Sequence, residues 1–191
     1  GSVGGLVWYH ANRAARVTPA AWSAIDGAAI PVGETNILPA PAAAVATPAA
    51  IPGWRVTLGN KRRQRVAWEP DGGAGRFRLW SGSEEALLTL EARPVTVSQG
   101  MRFCLEMMTR PGSNATGTVT SDIALQKRVD GELVEVPHFG GKLPNMPRRG
   151  GWMLAKETFT IPADGVGITV GLRGTFAGRY DVGGFRLTRV E

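Results

Sequence analysis

The chain has 191 residues, 43% of them hydrophobic, and a formal net charge of +6. It is long and apolar enough for one domain of ordinary size with a tail. The single cysteine, Cys104, excludes an internal disulfide and a multi-cysteine metal site, and no run of about 18 apolar residues is present that could span a membrane. The positive charge suits an acidic partner such as nucleic acid, an anionic polysaccharide or a lipid headgroup surface, and it selects none of them.

The N-terminal tail, residues 1–34, gives mixed signals. Gly1 and Ser2 look like a cloning scar and carry no information about the fold. Residues 3–16 combine an apolar start with a basic flank. They fit the trimmed end of a membrane anchor lying upstream of Val3, and they fit equally well a short amphipathic helix that packs on the domain.

A short helix is predicted later in this tail. Thr18 suits the N-cap, Pro19 the first helical position and Gly27 the stop. Trp22 would dock this helix on another part of the protein.

Residues 39–53 are rich in Ala and Pro. Such a stretch is often a semi-rigid linker. A second interpretation is a loop that lies across the domain after a first strand at residues 35–39.

From Gly53 onward the pattern changes to short alternating runs separated by turn residues. In one of them Phe77 and Leu79 point to one side, whereas Arg76, Arg78 and Trp80 point to the other. Further strands are predicted at residues 86–92, 101–108, 122–128, 132–136, 158–161, 166–173 and 185–188.

Two of these runs flank Asp130 and Gly131, a strong hairpin signal. The last run places Phe185 and Leu187 on one face of a half-buried strand. About eight or nine short strands at this spacing predict an all-β fold, an antiparallel β-sandwich jelly roll after a short, partly helical tail.

The order of these pieces resembles the galactose-binding-like jelly-roll superfamily, and within it the carbohydrate-binding modules. The resemblance rests on the run "ETNILPAP", a Gly-Trp at residues 53–54, and the stretches 92–110, 150–174 and 178–191. It implies that residues 35–39 form the first strand and that residues 39–53 are a loop inside one domain spanning 35–191. It also implies a structural role for Trp54 and Trp152.

One departure from that pattern concerns a metal. Many relatives carry an acidic pair that helps to hold a structural calcium, and here Gly183 and Gly184 stand in its place, with Asp181 displaced by a few positions. A hard cation needs several oxygen ligands, so no cofactor is expected and a calcium site is in doubt.

Candidate ligand-binding residues fall into three groups. Sugar sites use flat aromatic faces and planar polar groups, which favours Trp80 with Arg76 and Arg78. Trp68 fits either the core or a surface.

The second group is a basic cluster that could bind carboxylate, sulfate or phosphate groups, or simply keep the protein soluble. Its members are Lys61, Arg62, Arg63 and Arg65.

The third group lies in the Gly- and Pro-rich loop 137–151, which fits either a lid over a groove or a docking loop for a protein partner. Its candidate residues are His138, Phe139, Lys142, Arg148 and Arg149.

No catalytic signature is recognisable, so the protein is not expected to be an enzyme. We expect non-catalytic recognition of a glycan, including an anionic one, by a bacterial domain outside the cytoplasm, in the periplasm or at the cell surface, that is tethered to a membrane. One alternative is a structural or assembly domain of a membrane protein of polysaccharide synthesis or export, which would bind a protein partner. Another is a glycan-active enzyme whose two carboxylates meet only in the fold. Nucleic acid is not an expected partner.

Overall fold

The computed structural model describes residues 23–140 and 145–191. In these ranges the chain forms thirteen strands and two short 3₁₀ turns, Gly27–Ala29 and Arg149–Gly151. The strands are β1 Ile25–Asp26, β2 Val45–Ala46, β3 Trp54–Leu58, β4 Gln64–Glu69, β5 Arg76–Gly82, β6 Leu88–Ala92, β7 Val95–Thr96, β8 Arg102–Pro111, β9 Thr116–Val129, β10 Glu132–Val136, β11 Asn145–Pro147, β12 Met153–Thr160 and β13 Gly165–Arg189.

The long strand β13 belongs to both layers of a sandwich. Its first part, residues 165–177, pairs with β9 and with β6 and β7. Its second part, residues 177–189, pairs with β5 and β8. The larger sheet therefore has the order β2-β4-β5-β13-β8-β12-β11, and the smaller sheet runs β10-β9-β13-β6-β3. Every pair is antiparallel except β1 with β7.

The core between the sheets is built from the apolar positions of the alternating runs. Phe77 and Leu79 are buried, as are Phe185 and Leu187, which confirms the predicted faces of both strands. The predicted hairpin is also present, and Asp130 and its glycine neighbour have φ angles of 50° and 79°, as a two-residue turn requires.

Two core tryptophans hold the Ala- and Pro-rich segment 39–53 on the sandwich. The indole N–H of Trp54 donates to the carbonyl oxygen of Pro39 over 2.9 Å, and that of Trp68 donates to Pro41 over 2.9 Å. Both rings pack edge-on against Phe77. The segment thus lies across the domain, and Trp54 is a core residue, as predicted; Trp68, which fitted either location, is a core residue too.

A β-bulge explains the two glycines near the C-terminus. The register between β13 and β8 shifts between Gly183 and Arg186, and Gly184 has a φ of 53°, a left-handed conformation that suits glycine. Because the bulge adds one residue, Val182 and Phe185 both point into the core although they are three positions apart.

The predicted first strand at residues 35–39 is wrong. These residues form no regular strand, although the Ile37 N–H donates to the carbonyl oxygen of Leu187 over 2.8 Å. The cause is the side chain of Asn36, whose Oδ1 accepts from the N–H groups of Leu38 and Leu187 and so replaces a ladder hydrogen bond.

The predicted helix that ends at Gly27 is not seen in its described part. Ile25–Asp26 is extended and pairs with Val95–Thr96, and a 3₁₀ turn follows, capped by the Asp26 side chain. The rest of that helix with Trp22, the segment 3–16, and Lys142 lie outside the described residues. Within the described residues, no helix is long and apolar enough to cross a membrane.

Candidate functional site

The outer face of the larger sheet carries a band of arginines with two tryptophans. Cross-strand register places Arg65 opposite Trp80, Arg78 opposite Asp181, and Asp181 opposite Arg110. We call this surface the tryptophan–arginine face. Its residues are Arg65, Glu69, Arg76, Arg78, Trp80, Arg110, Trp152, Arg179 and Asp181.

Each tryptophan of this face is stacked with an arginine. The guanidinium carbon of Arg65 lies 5.0 Å from the ring centroid of Trp80, and that of Arg110 lies 4.6 Å from Trp152. Such stacking is attractive, and it fixes the plane of the guanidinium while its N–H edges can still meet an anion.

Asp181 lies at the centre of the face beneath three arginines. It is only 2% exposed, and its Oδ2 accepts a hydrogen bond of 3.0 Å from Nη2 of Arg110. Its Oδ1 lies 3.9 Å from Nε of Arg78 and 3.8 Å from Nε of Arg179, and it has no hydrogen-bond partner. Asp181 therefore fixes Arg110 firmly and the other two arginines only loosely.

Glu69 organises the neighbouring arginines. Its carboxylate accepts from Nη2 of Arg76 over 2.9 Å and lies 3.5 Å from Nη1 of Arg78. The hydrogen bond from Arg76 holds the pKa of the Glu69 carboxyl below its ordinary value, and the same bond raises the pKa of Arg76. Both groups are thus charged at neutral pH.

Trp152 was expected in the core, and that prediction is wrong. It is partly exposed on the outer face, where a side-chain carbon on Gly183 would lie 3.3 Å from its ring. The reason is strand parity: Trp152 precedes β12 on the same side as Lys156 and Thr158, whereas Ala155 and Phe159 are the buried set.

The basic cluster is divided by the fold. Arg65 belongs to the tryptophan–arginine face, whereas Lys61 and Arg62 are exposed in the turn between β3 and β4. Arg63 donates from Nη2 to the carbonyl oxygen of Gly82 over 3.0 Å. The four residues therefore do not form a single patch, although Lys61, Arg62 and Arg65 line a common cavity.

The loop 137–151 is also divided. His138 contacts Oδ1 of Asp122 through Nδ1 at 2.8 Å and Nη1 of Arg173 through Nε2 at 3.2 Å. Since arginine is always a donor, Nε2 accepts and Nδ1 donates to Asp122. Phe139 packs edge-on against Phe159.

The other end of this loop adjoins the tryptophan–arginine face. Arg148 donates its backbone N–H to the carbonyl oxygen of Trp152 over 2.7 Å, and Arg149 is exposed in the following turn. Arg148 and Arg149 thus have contacts different from those of His138 and Phe139.

Two further concavities lie elsewhere on the sandwich. A cavity of about 370 Å³ opens at the sandwich edge beside β9, and Asp122, His138 and Glu157 are among its lining residues. A groove of about 360 Å³ on the outer face of the smaller sheet is lined by residues such as Arg55, Glu91 and several threonines, and none of its lining residues is aromatic. Among these three surfaces, and within the described residues, only the tryptophan–arginine face combines an exposed aromatic side chain with several arginines.

No group of three or more His, Cys, Asp or Glu residues is placed to hold a metal ion within residues 23–140 and 145–191. Asp181, the displaced acid of the calcium pattern, is engaged by arginines instead.

Sequence reasoning missed Glu69, Arg110, Arg179 and Asp181 as members of the site. Arg179 and Asp181 share a parity opposite to the buried Tyr180 and Val182, so alternation along β13 could have placed them on the outer face. Arg110 could not have been joined to them, because that contact depends on the pairing of two distant strands.

Comparison with known proteins finds no family model that matches the chain and no curated protein that matches its sequence. Among solved structures, the enzymatically active domain of tailspike protein 4 from bacteriophage CBA120 superposes with a TM-score of 0.52 at 13% identity, over 72% of this chain and 19% of that one. The CBM22-1 and GH10 modules of the Clostridium thermocellum xylanase Xyn10B superpose with a TM-score of 0.47 at 12% identity, over 72% of this chain and 26% of that one.

The CBM22-1 xylan-binding domain of Paenibacillus barcinonensis Xyn10C gives a TM-score of 0.44 at 10% identity, over 73% of this chain and 86% of that one. The chain spans about a fifth and a quarter of the lengths of the first two structures. Identities at this level bear on the fold alone. In fold, the chain is an all-β, antiparallel jelly-roll sandwich, as its sequence predicted.

Proposed function

We propose that this domain binds an acidic glycan, without acting on it chemically, and that the tryptophan–arginine face is the binding surface. The observation that supports this most directly is the pair of Trp–Arg stacks, Arg65 with Trp80 and Arg110 with Trp152, on one face of one sheet.

The aromatic part of the argument concerns Trp80. It is 39% exposed, and among the described residues it is the only aromatic side chain in the set of exposed large hydrophobic residues. Pyranose rings have apolar faces that pack on flat aromatic rings, and a large exposed aromatic ring is costly to leave in water. Arg65 covers one face of the Trp80 ring. We propose that a pyranose ring packs on the other face.

The charge of the face favours an acidic ligand. Five arginines lie there with two carboxylates, a net of three positive charges. Guanidinium groups match carboxylates and sulfates with two parallel hydrogen bonds. Arg78 and Arg179 are the best placed, because neither has a hydrogen bond to Asp181.

The spacing of the two tryptophans favours a chain of sugars over a single sugar. Trp80 pairs with Arg179, and Trp152 lies over Gly183, four residues further along β13. Four residues of a strand cover about 13 Å, more than the length of one pyranose ring.

A glycan array with the purified protein tests the proposal, using neutral, uronate and sulfated oligosaccharides at low and at physiological salt. We expect binding to uronate or sulfated chains that persists at physiological salt and is lost in Trp80→Ala. Binding that vanishes with salt and is unchanged in Trp80→Ala would show unspecific attraction, and the proposal would then be wrong.

A second candidate is glycoside hydrolysis. The observation in its favour is that two carboxylates, Asp122 and Glu157, line the same edge cavity, as an acid–base pair would. Release of shorter sugars from any array ligand, lost in Glu157→Gln, would establish it. Asp122 is engaged by His138, which makes binding the better-supported function.

The protein-partner alternative depends on an apolar surface near loop 137–151. The exposed large hydrophobic residues of the described chain are Val32, Trp80, Leu87, Val129, Leu133 and Val190, and none lies in that loop.

A location outside the cytoplasm is part of our proposal, because glycan polymers are found outside the cytoplasm. A membrane tether upstream of Val3 is part of it too. Fractionation of cells that express the native gene would test both.

A further inference from the structure

A cavity of about 790 Å³ opens at the other lateral edge of the sandwich, between β3 of the smaller sheet and β4 of the larger sheet. Residues 47–51 line it too, and Ala49 and Ala50 among them are exposed. We call it the β3–β4 cavity. It is separate from the tryptophan–arginine face except for Arg65, which borders both.

The floor of the β3–β4 cavity is apolar. It is formed by the inward side chains of β3, which are Trp54, Val56 and Leu58. Val56 and Leu58 are only half-buried, although their partners across the ladder, Leu90 and Leu88, are fully buried. The edge of the core is therefore left open at this place.

The polar side chains inside the cavity are already used by the protein. Gln64 accepts from the Asn60 N–H and donates to Ser81 and to the carbonyl oxygen of Ala86. Thr47 Oγ1 accepts from the Val66 N–H. A hydroxyl-rich sugar would find few side-chain partners here, whereas an apolar group would lose nothing by entering.

The rim of the cavity is cationic. Lys61 and Arg62 are exposed, and neither side chain makes a hydrogen bond or ion pair with the described residues. No Asp or Glu is among the lining residues. An anionic group at the rim would meet two unengaged cations, while Arg65 is held by its stack on Trp80.

We propose that the β3–β4 cavity binds a single-chain anionic amphiphile, with its alkyl chain on the floor of Val56 and Leu58 and its carboxylate or phosphate head at Lys61 and Arg62. The volume lies within the range of about 300–1,000 Å³ that is typical of small-molecule sites. This site does not depend on glycan binding.

Calorimetric titration with dodecyl phosphate and with laurate, each below its micelle concentration, tests the proposal on the full chain. Inorganic phosphate lacks the alkyl chain and dodecyl maltoside lacks the charge, so each serves as a control ligand. We expect saturable binding of an alkyl anion and weaker binding of both controls by about tenfold or more. Dodecyl maltoside loses the charge-assisted hydrogen bonds of the head, and inorganic phosphate loses the burial of the alkyl chain. If dodecyl phosphate binds and laurate does not, the ligand has a phosphate head. If laurate binds, the site accepts a carboxylate head.

Two variants separate the rim from the floor. The double variant Lys61→Glu, Arg62→Glu should weaken binding by about tenfold or more, whereas the charge-matched double variant Arg102→Glu, Arg128→Glu, at exposed sites elsewhere, should not. Ala49→Trp fills the cavity from its exposed wall and should abolish binding without lowering the melting temperature.

Three results would overturn the proposal. One is equal binding of dodecyl phosphate and inorganic phosphate, and the second is equal binding of dodecyl maltoside. The third is undiminished binding by Ala49→Trp. Binding that appears only when micelles form would overturn it as well.

Discussion

Arg110 donates a 3.0 Å hydrogen bond to Asp181 across the β8–β13 ladder, in the middle of the outer face of the larger sheet. Asp181 is almost fully buried, while Arg110 stacks on Trp152. One carboxylate thus fixes the position of an arginine and, through it, of a tryptophan. It leaves the Nε groups of Arg78 and Arg179 at ion-pair distance without a hydrogen bond.

Asp181→Asn should destabilise the protein by about 2–4 kcal/mol, because it leaves a cluster of arginines without its buried counter-charge. Urea unfolding measures this change. A double-mutant cycle with Arg110→Met should show a coupling energy of at least about 1 kcal/mol. Simple additivity of the two substitutions would contradict the role of this contact.

Trp80→Ala should reduce glycan affinity by about tenfold or more and change the free energy of unfolding by less than about 1 kcal/mol, since the ring lies on the surface. Trp68→Ala is the matched control. That ring is 2% exposed, so its loss should cost about 3–5 kcal/mol of stability. Binding isotherms and thermal unfolding of both variants would distinguish a ligand platform from a packing residue.

Gly184→Val should lower the free energy of unfolding by about 1–2 kcal/mol or more, because a β-branched residue is strained at a φ of 53°. Gly184→Asn should cost less, since asparagine tolerates this conformation. Thermal unfolding that ranks valine and asparagine equally would show that the bulge does not require the left-handed conformation.

The stability of the protein should fall in acid partly through Glu69. Its pKa is lowered from 4.5 in the folded protein, mainly by the hydrogen bond from Arg76. Folding therefore favours the ionised form, and this contribution is present above about pH 4.5 and is lost as the pH falls through the lower folded pKa.

Because Glu69 and Arg76 are partly exposed, the effect is small, about 1–3 °C in melting temperature at neutral pH. Glu69→Gln should remove this increment near pH 7 and leave the melting temperature near pH 3 unchanged. An equal loss at both pH values would show that the effect does not arise from ionisation.

The sequence predicted the strands well where alternation was clear, as in residues 76–80 and 185–188, and where Asp130 and Gly131 marked a hairpin. It failed where a side chain competes with the backbone, because Asn36 replaces a ladder hydrogen bond. For Trp152, the resemblance to a family predicted a core position. The alternation of strand β12, which follows it, places Trp152 on the outer face and was the better guide.

The candidate site was only partly predictable for a different reason. Arg76, Arg78 and Trp80 could be grouped because they share one strand. Their partners Arg65, Asp181 and Arg110 come from three other strands, and only the sheet order brings these together.

The most direct test of the central claim is a calorimetric titration with oligogalacturonate at a physiological salt concentration of about 0.15 M, on the native protein, Trp80→Ala and Arg78→Ala. If the tryptophan–arginine face binds acidic glycans, the native protein will bind saturably and each variant will lose about tenfold or more in affinity. Equal affinity in all three proteins, or no binding to this or any sulfated chain, would contradict the account.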